Sequence, residues 1–283
     1  MKGFVLIDKP KGISSFDVVY KVRKATGVKK VGHSGTLDPL ATGLLLVAVG
    51  EGTKLLEFLI GCDKEYEVVA HFGFVSDTYD AEGSLTKIDD QKKCSIGDVE
   101  PLLMSFLGEI SQVPPKYSAL KINGKPAYEL ARSGKDVEMK ARAVFVEKFE
   151  VTSFKWPLVT FRVKCSAGTY IRSLVHDLGA LLGCGAYVQE LRRTVVGDFS
   201  VENALSVEDF SKNPEGGLIP LESIVANFYR LNLSDEDYSG LRDGRILNKK
   251  VEHDGVIMAF YKDVLVGVLE MVSEGVKYKK VIH

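Results

Sequence analysis

The chain has 283 residues, of which 45% are hydrophobic and 27% charged, and its net charge is -1. Such a composition excludes a disordered or fibrous chain and a global polycation, and suits one large domain or a medium domain with a small appendage. Cys62, Cys94, Cys165 and Cys184 lie far apart without a C-x-x-C spacing, so neither a zinc site nor a disulfide framework is expected. Residues 4–7 are an apolar run that predicts a strand, ended by the turn Lys9-Pro10-Lys11-Gly12. Ser14 or Ser15 then caps a predicted helix to about residue 25, with Phe16, Val19, Tyr20 and Val22 roughly on one face. After a turn-rich loop, residues 44–49 read as a buried strand and residues 54–60 as one or two helical turns. Residues 66–74 alternate as a strand would, with Tyr66, Val68, Ala70 and Phe72 sharing a face.

Residues 96–107 predict an amphipathic helix, because Ile96, Val99, Leu102, Leu103 and Phe106 recur at spacings of three and four. The stretch 112–138 opens with a proline turn and contains a predicted hairpin at Asn123-Gly124. Residues 144–154 and 158–165 read as an antiparallel pair about a tight turn at Lys155-Trp156-Pro157. From Gly168 a helix carries Ile171, Leu174, Val175, Leu178, Leu181 and Leu182 on one stripe and stops at Gly183. An acidic, loop-rich stretch at 213–220 is followed by a strand-turn-strand pattern, residues 256–261 and 264–271 about Lys262-Asp263. Strands and helices interleave without a regular βαβ rhythm. The expected fold is therefore α+β, a mixed and largely antiparallel sheet flanked by helices, with a small β-rich C-terminal module from about residue 231.

Charge is unevenly placed. Residues 21–30 hold five basic residues and no acid, residues 116–148 hold eight basic against four acidic, and residues 202–237 hold eight acids against Lys212 and Arg230. A single basic run is usually a solvated face, but two of them flanking one candidate loop suggest a side that meets RNA. The N-terminus has charges within its first ten residues and no long apolar core, and no later segment reaches membrane-spanning length. The expected location is the cytoplasm, without membrane contact.

The candidate loop lies in residues 31–47, VGHSGTLDPLATGLLLV, where one carboxylate, Asp38, precedes an apolar strand. Gly32, Gly35 and Gly43 permit sharp backbone paths, and Pro39 disfavours the helical region for Asp38. Leu37, Leu40 and the leucines at 44–46 surround the acid with hydrocarbon. An ionised carboxylate in that setting is costly unless a cation or several donors meet it, which is how a nucleophile or proton-transfer group is prepared. An Asx-turn with a purely structural role uses the same residues. If Asp38 is a desolvated anion, a fixed cation is required, and Arg172, in the first turn of its helix and off the apolar stripe, is the best candidate. A guanidinium can hold a carboxylate through two parallel hydrogen bonds; the competing reading is a surface arginine on an amphipathic helix. Tyr66, at the start of its strand, is ordinarily a core residue with its hydroxyl at the rim. His33, His71, His176, His253 and His283 show no ligand spacing, so no metal site is expected.

The string GHSGTLDPLATGLL resembles the signature of the bacterial tRNA pseudouridine synthases that modify uridine 55 of the T-loop, with Gly32, His33, Gly35, Leu37, Asp38 and Pro39 matching G-H-x-G-x-L-D-P. DKEYEVV resembles the family's K-x-Y motif and GTYIR its second motif, while VPPKYSALKINGKPAYELA and QELRRTVVGDF resemble two further blocks. Together the matches span about residues 3 to 205. The resemblance implies that Asp38 is the catalytic acid, that Arg172 pairs with it, and that the Tyr66 ring stacks on the target base. It implies that His33 contacts RNA near a flipped nucleotide, with Gly35 and Leu37 on the substrate side, Leu191 lining the pocket, and Lys121, Lys125 and Arg132 meeting phosphates. It further implies a catalytic domain at 1–230, an abbreviated PUA-like RNA-binding module at 231–283, and the T-arm of tRNA as partner. No cofactor, metal or obligatory protein partner is implied, and a monomer is expected. Two rivals use the same residues: a non-catalytic tRNA-binding protein or folding chaperone, and a nucleoside or glycoside hydrolase. The latter normally needs a second carboxylate, which the Asp38 loop does not contain. The glycine spacing fits neither a P-loop nor a dinucleotide fingerprint.

Overall fold

The computed structural model describes residues 1–88, 93–122, 124–133, 137–249, 251–253 and 255–282. Strand β1 (Gly3–Lys9) leads through helix α1 (Ser15–Thr26) to β2 (Val31–His33) and β3 (Thr42–Val49). Helix α2 (Leu56–Ile60) precedes β4 (Lys64–Phe72), and a small hairpin of β5 (Phe74–Ser76) and β6 (Leu85–Lys87) follows. Next come α3 (Ile96–Leu103), β7 (Gly108–Gln112), the paired β8 (Lys121–Ile122) and β9 (Lys125–Pro126), and α4 (Ala127–Arg132). The long antiparallel pair β10 (Arg142–Lys155) and β11 (Leu158–Cys165) leads into α5 (Ile171–Leu181), β12 (Ala186–Val196) and the short β13 (Phe199–Ser200). Helices α6 (Val207–Lys212) and α7 (Leu221–Ile224) connect to β14 (Tyr229–Asn232), α8 (Asp235–Arg242), β15 (Ile257–Tyr261), β16 (Val264–Val272) and β17 (Gly275–Val281).

The main sheet runs β1-β3-β12-β4-β11-β10-β7, antiparallel throughout except where β12 meets β3, and a second sheet runs β14-β15-β16-β17. One edge of β3 is covered by β1 along its length. On the other edge β12 pairs only at Thr42 and Gly43, and β2 only at residues 47–49. The sheet is therefore parted between β12 and β2, and the loop at 34–41 leaves it there. Period-two alternation accounts for the layers. Val5, Ile7, Leu45 and Val47 face α1 and α6, whereas Phe4, Leu6, Leu44 and Leu46 face a core shared with Met258, Phe260, Leu265 and Val268 of the second sheet. Helix α5 buries Leu174, Val175 and Leu178 against Val68, Ala70 and Phe161 on the sheet. Among the described residues, no helix is long and apolar enough to cross a membrane.

Ser14 caps α1 through a capping box with Asp17, an arrangement that stabilises by about 1 kcal/mol. The buried face of α1 is Val18, Val19 and Val22; Phe16 and Tyr20 are exposed, so the sequence reading placed the stripe one position off. The strand expected at 66–74 breaks at Gly73, whose φ of +95° ends β4 at Phe72. Leu181 and Ile96 are exposed, because the helices that carry them bury narrower stripes than the leucine count suggested. Lys121 pairs with Pro126 and Ile122 with Lys125 at the expected hairpin; Asn123 lies outside the described residues. Residues 186–196, which carried no predicted element, form the strand that joins the two halves of the main sheet.

Candidate active site

Loop 34–41 is held by side chains that come from before it in the chain. The Ser15 hydroxyl accepts from Leu37 N at 2.8 Å and donates to Leu37 O at 3.0 Å, so one group fixes both polar atoms of the residue before Asp38. Lys9, wholly buried, donates through Nζ to Pro10 O at 3.0 Å, Ile13 O at 2.8 Å and Pro39 O at 3.3 Å. Gly12 N adds a second donor to Pro39 O at 2.8 Å. Burial lowers the pKa of Lys9 to about 8, against the pull of Asp38 and Glu82, which favour its charged form. Gly43 has φ +100°, and a Cβ there would lie 2.2 Å from Arg193 O, so only glycine lets β3 come this close to β12.

Arg172 projects from the first turn of α5 and is buried. Its Nε lies 3.0 Å from Asp38 Oδ2, Nη1 donates to Asp80 Oδ2 at 3.0 Å and to Thr78 O at 2.9 Å, and Nη2 donates to Tyr117 O at 2.9 Å. The contact with Asp38 is thus through a single nitrogen, not the parallel two-bond clasp expected, because Nη2, which shares that edge of the guanidinium with Nε, donates to Tyr117 O. Nor is the residue on an exposed helix face: the first turn of α5 is buried on all sides. Gln112 fixes that turn by accepting from Tyr170 N at 2.8 Å and donating to Tyr170 O at 3.0 Å, and Ser173 Oγ donates to Val113 O at 2.8 Å. Asp80 also receives Thr78 Oγ1 at 2.6 Å and Glu82 N at 3.0 Å, both on Oδ1. Only 4% of the Asp80 side chain is exposed, whereas 35% of the Asp38 side chain opens to the adjoining cavities. Desolvation by the surrounding walls raises the pKa of Asp38 above the ordinary carboxylate value; Arg172 opposes the rise and Asp80 reinforces it.

Asp38 stands where two cavities meet. The inner one, of about 350 Å³, is walled by Tyr66, Leu191, Arg193, Gly35 and Leu37, and the outer cleft, of about 800 Å³, by His33, Tyr128, Arg132, Glu82 and Asp80. Tyr66 on β4 is flanked across the sheet by Val163 on β11 and by Arg193 on β12. Burial raises the pKa of its hydroxyl, with Arg193 acting in the opposite sense. Arg193 is itself buried, its Nε donating to Leu44 O at 2.8 Å and Nη2 to Gly35 O at 3.1 Å. His33 Nδ1 accepts from Gly35 N at 3.2 Å; burial and the nearby Arg193 lower the pKa of the ring, which favours its neutral form. The structure thus gathers Asp38, Arg172, Tyr66, Leu191, Gly35, Leu37 and His33 around the two cavities. Arg132 borders the outer cleft, with its guanidinium 5.7 Å from the Tyr128 ring centre. Lys121 and Lys125 are exposed on β8 and β9 and line neither cavity.

Two of these groups, Lys9 and Arg193, carry a signal in the sequence, and Asp80 carries none. Lys9 shares strand parity with Val5 and Ile7, so alternation alone points it inward. Adjacent strand residues face opposite ways, so one of Arg192 and Arg193 had to turn inward. Arg192 faces out and grips Asp8 with two bonds of 2.9 and 2.7 Å. Asp80 sits in an ordinary acidic loop, SDTYDAEG, and its role depends on a contact 92 residues away.

A family model described as TruB family pseudouridylate synthase (N terminal domain) matches residues 23–171, and one described as tRNA pseudouridylate synthase B C-terminal domain matches residues 172–226. The fold is accordingly that of a pseudouridine synthase. A protein of Clostridium tetani named tRNA pseudouridine synthase B is 40% identical over 290 residues and covers 100% of both chains. A protein of the same name from Aquifex aeolicus is 39% identical over 277 residues, covering 96% of each. The crystal structure of a Cbf5-Nop10-Gar1 complex matches with a TM-score of 0.75 at 26% identity, covering 99% of this chain and 84% of that one. The chain belongs to the TruB family of pseudouridylate synthases, isomerases that turn uridine into pseudouridine in RNA.

Proposed function

We propose that this protein isomerises uridine 55 in the T-loop of tRNA, with Asp38 as its catalytic carboxylate, Arg172 as the cation that orients it and Tyr66 as the wall against which the base lies. The carrying observation is the position of Asp38: an arginine-held anion at the mouth of a cavity whose volume of about 350 Å³ falls at the lower end of ligand-pocket sizes. Relatives alike in length bear the name tRNA pseudouridine synthase B, which supports tRNA as the substrate. A base inside a folded loop must be everted to reach such a cavity, and it then needs a new face to stack on. Tyr66 offers that face. In the reaction the N1–C1′ bond breaks, the uracil turns, and a C5–C1′ bond forms; the proton on C5 leaves to solvent and N1 gains one. The buried walls keep water from the detached base, which would otherwise be lost as free uracil.

In this reading His33, Gly35, Leu37 and Leu191 border the nucleotide. Lys121, Lys125 and Arg132 meet phosphates, contacts that position RNA without reading its sequence. The reading takes residues 1–230 as the synthase domain and 231–283 as a PUA-like module for the rest of the tRNA. It expects a monomer acting in the cytoplasm.

The experiment uses tRNA tritiated at uridine C5. Wild type should release label to water, and Asp38→Asn should retain tRNA binding while release falls roughly a thousandfold or more. Free uracil as the main product would favour a hydrolase, and undiminished release by Asp38→Asn would remove the central assignment.

A further inference from the structure

The inner cavity and the outer cleft share a ring of six lining residues: Thr36, Leu37, Asp38, Ser118, Ala119 and Arg172. With the base in the inner cavity and the sugar-phosphate chain in the outer cleft, the ribose has to span this ring. C1′, where one bond breaks and the other forms, then lies beside Asp38. The ribose of an internal ribonucleotide has a single free hydroxyl, the 2′-hydroxyl, which can both donate and accept.

The ring contains a matching partner. Asp38 meets Arg172 Nε and keeps its open side for the reacting centre, while Nη1 and Nη2 of Arg172 donate to Asp80, Thr78 O and Tyr117 O. Leu37 and Ala119 carry no polar side-chain atom, and Thr36 is exposed to solvent. Ser118 is only 4% exposed, and its hydroxyl has no hydrogen-bond partner among the described residues. Buried hydroxyls are nearly always paired, since an unpaired one forfeits its hydration without compensation. The backbone around Ser118 is held from both sides: Tyr128 N donates to Ser118 O at 3.1 Å, and Arg172 Nη2 donates to Tyr117 O at 2.9 Å. The same arginine therefore sets both the carboxylate and this serine. Ser34, another buried hydroxyl without a partner, lines the inner cavity alone, on the side of the base.

We propose that Ser118 Oγ binds the 2′-hydroxyl of the target nucleotide and so holds its ribose against Asp38; this rests on the RNA-uridine reading above. The contact would make the enzyme read ribose as well as uracil at the reacting position, since the 2′-hydroxyl is the group that separates RNA from DNA.

The test is a cycle of four single-turnover rates of tritium release, with wild type and Ser118→Ala acting on T-arm RNA whose target residue is either uridine or 2′-deoxyuridine. Any intrinsic effect of the deoxy sugar on the chemistry is common to both enzymes and cancels. Ser118→Ala should slow the ribose substrate by roughly three- to tenfold, the range for one neutral hydrogen bond. On the deoxy substrate it should be no slower than wild type. Equal slowing of both substrates by Ser118→Ala, or no slowing of either, would overturn the proposal. Thermal melting identifies a variant that misfolds, in which case Ser118→Cys, with similar volume and a weaker donor, takes its place and should show the same selective loss. Absence of release by wild type from the ribose substrate would overturn the T-loop assignment and the ribose contact with it, whereas release without coupling would overturn the ribose contact alone.

Discussion

Two acidic loops converge on Arg172 from opposite sides, and they treat their carboxylates differently. In the loop at 77–84, Asp80 receives Thr78 Oγ1, Glu82 N and Arg172 Nη1, and it is buried. In the loop at 34–41 the abundant hydrogen bonds go to the backbone of Leu37 and Pro39, leaving the Asp38 carboxylate with Arg172 Nε and an open side. Rigidity is thus provided in both, but only one loop leaves its anion with room to react. A carboxylate whose oxygens are already met by donors is a structural anion; one whose frame is fixed while its oxygens stay free is a reagent. A second acid, Asp80, lies beside the first, and its oxygens are engaged by Thr78 Oγ1, Glu82 N and Arg172 Nη1.

The contrast can be broken at the group both loops share. Arg172→Lys keeps the charge but cannot bridge Asp38, Asp80, Thr78 O and Tyr117 O at once, because an ammonium has three donors on one atom. The expected result is a fall in kcat of roughly a hundredfold, about 2.7 kcal/mol in barrier, with folding retained in thermal melts. Asp80→Asn tests one side alone. It should lower kcat roughly tenfold by loosening the guanidinium. It also removes a like charge that raises the pKa of Asp38. In the proposed reaction Asp38 acts as an anion, so activity should climb as pH rises through its elevated pKa, and the acid limb of the kcat profile should move to lower pH in the variant. An acid limb that stays in place would show that Asp80 does not act on Asp38 electrostatically.

Lys9→Met tests the frame of the reactive loop. Losing donors to three carbonyls should destabilise the protein by about 1–3 kcal/mol while affecting turnover less than the changes at Arg172. The pH dependence has a definite sign. With the Lys9 pKa lowered from 10.5 to about 8, the unfolded chain binds the extra proton between those values. Wild-type stability therefore gains from this group as pH rises from 8 towards 10.5, and that part of the slope should vanish in Lys9→Met. Joint replacement of Lys121 and Lys125 by alanine lies outside both loops and should have the smallest effect. T-arm affinity should fall roughly two- to tenfold and the salt dependence of binding should flatten by about two, with kcat unchanged. A large loss of kcat there would mean that the hairpin reaches the reacting nucleotide.

The sequence by itself determined much of the local order: the strands at 4–7, 44–49 and 158–165, the capped helix after Ser14, and the identity of Asp38, Tyr66 and Arg172 as a set worth testing. Those features follow from short-range rules, namely φ/ψ limits, alternation and capping, together with motifs whose residues are close in the chain. Tertiary structure alone decided which groups meet. It set Asp80 against Arg172 across 92 residues, Arg193 against Leu44 across 149, and Ser118 in the ring between two cavities. It also turned Phe16 and Tyr20 outward, because the depth of α1 on the sheet chose among several nearly equivalent stripes. The physical reason is that strand pairing and helix docking fix distances between segments remote in sequence. A single β12 lying between β3 and β4 brings the loop of one motif, the tyrosine of another and the arginine of a third to one point in space.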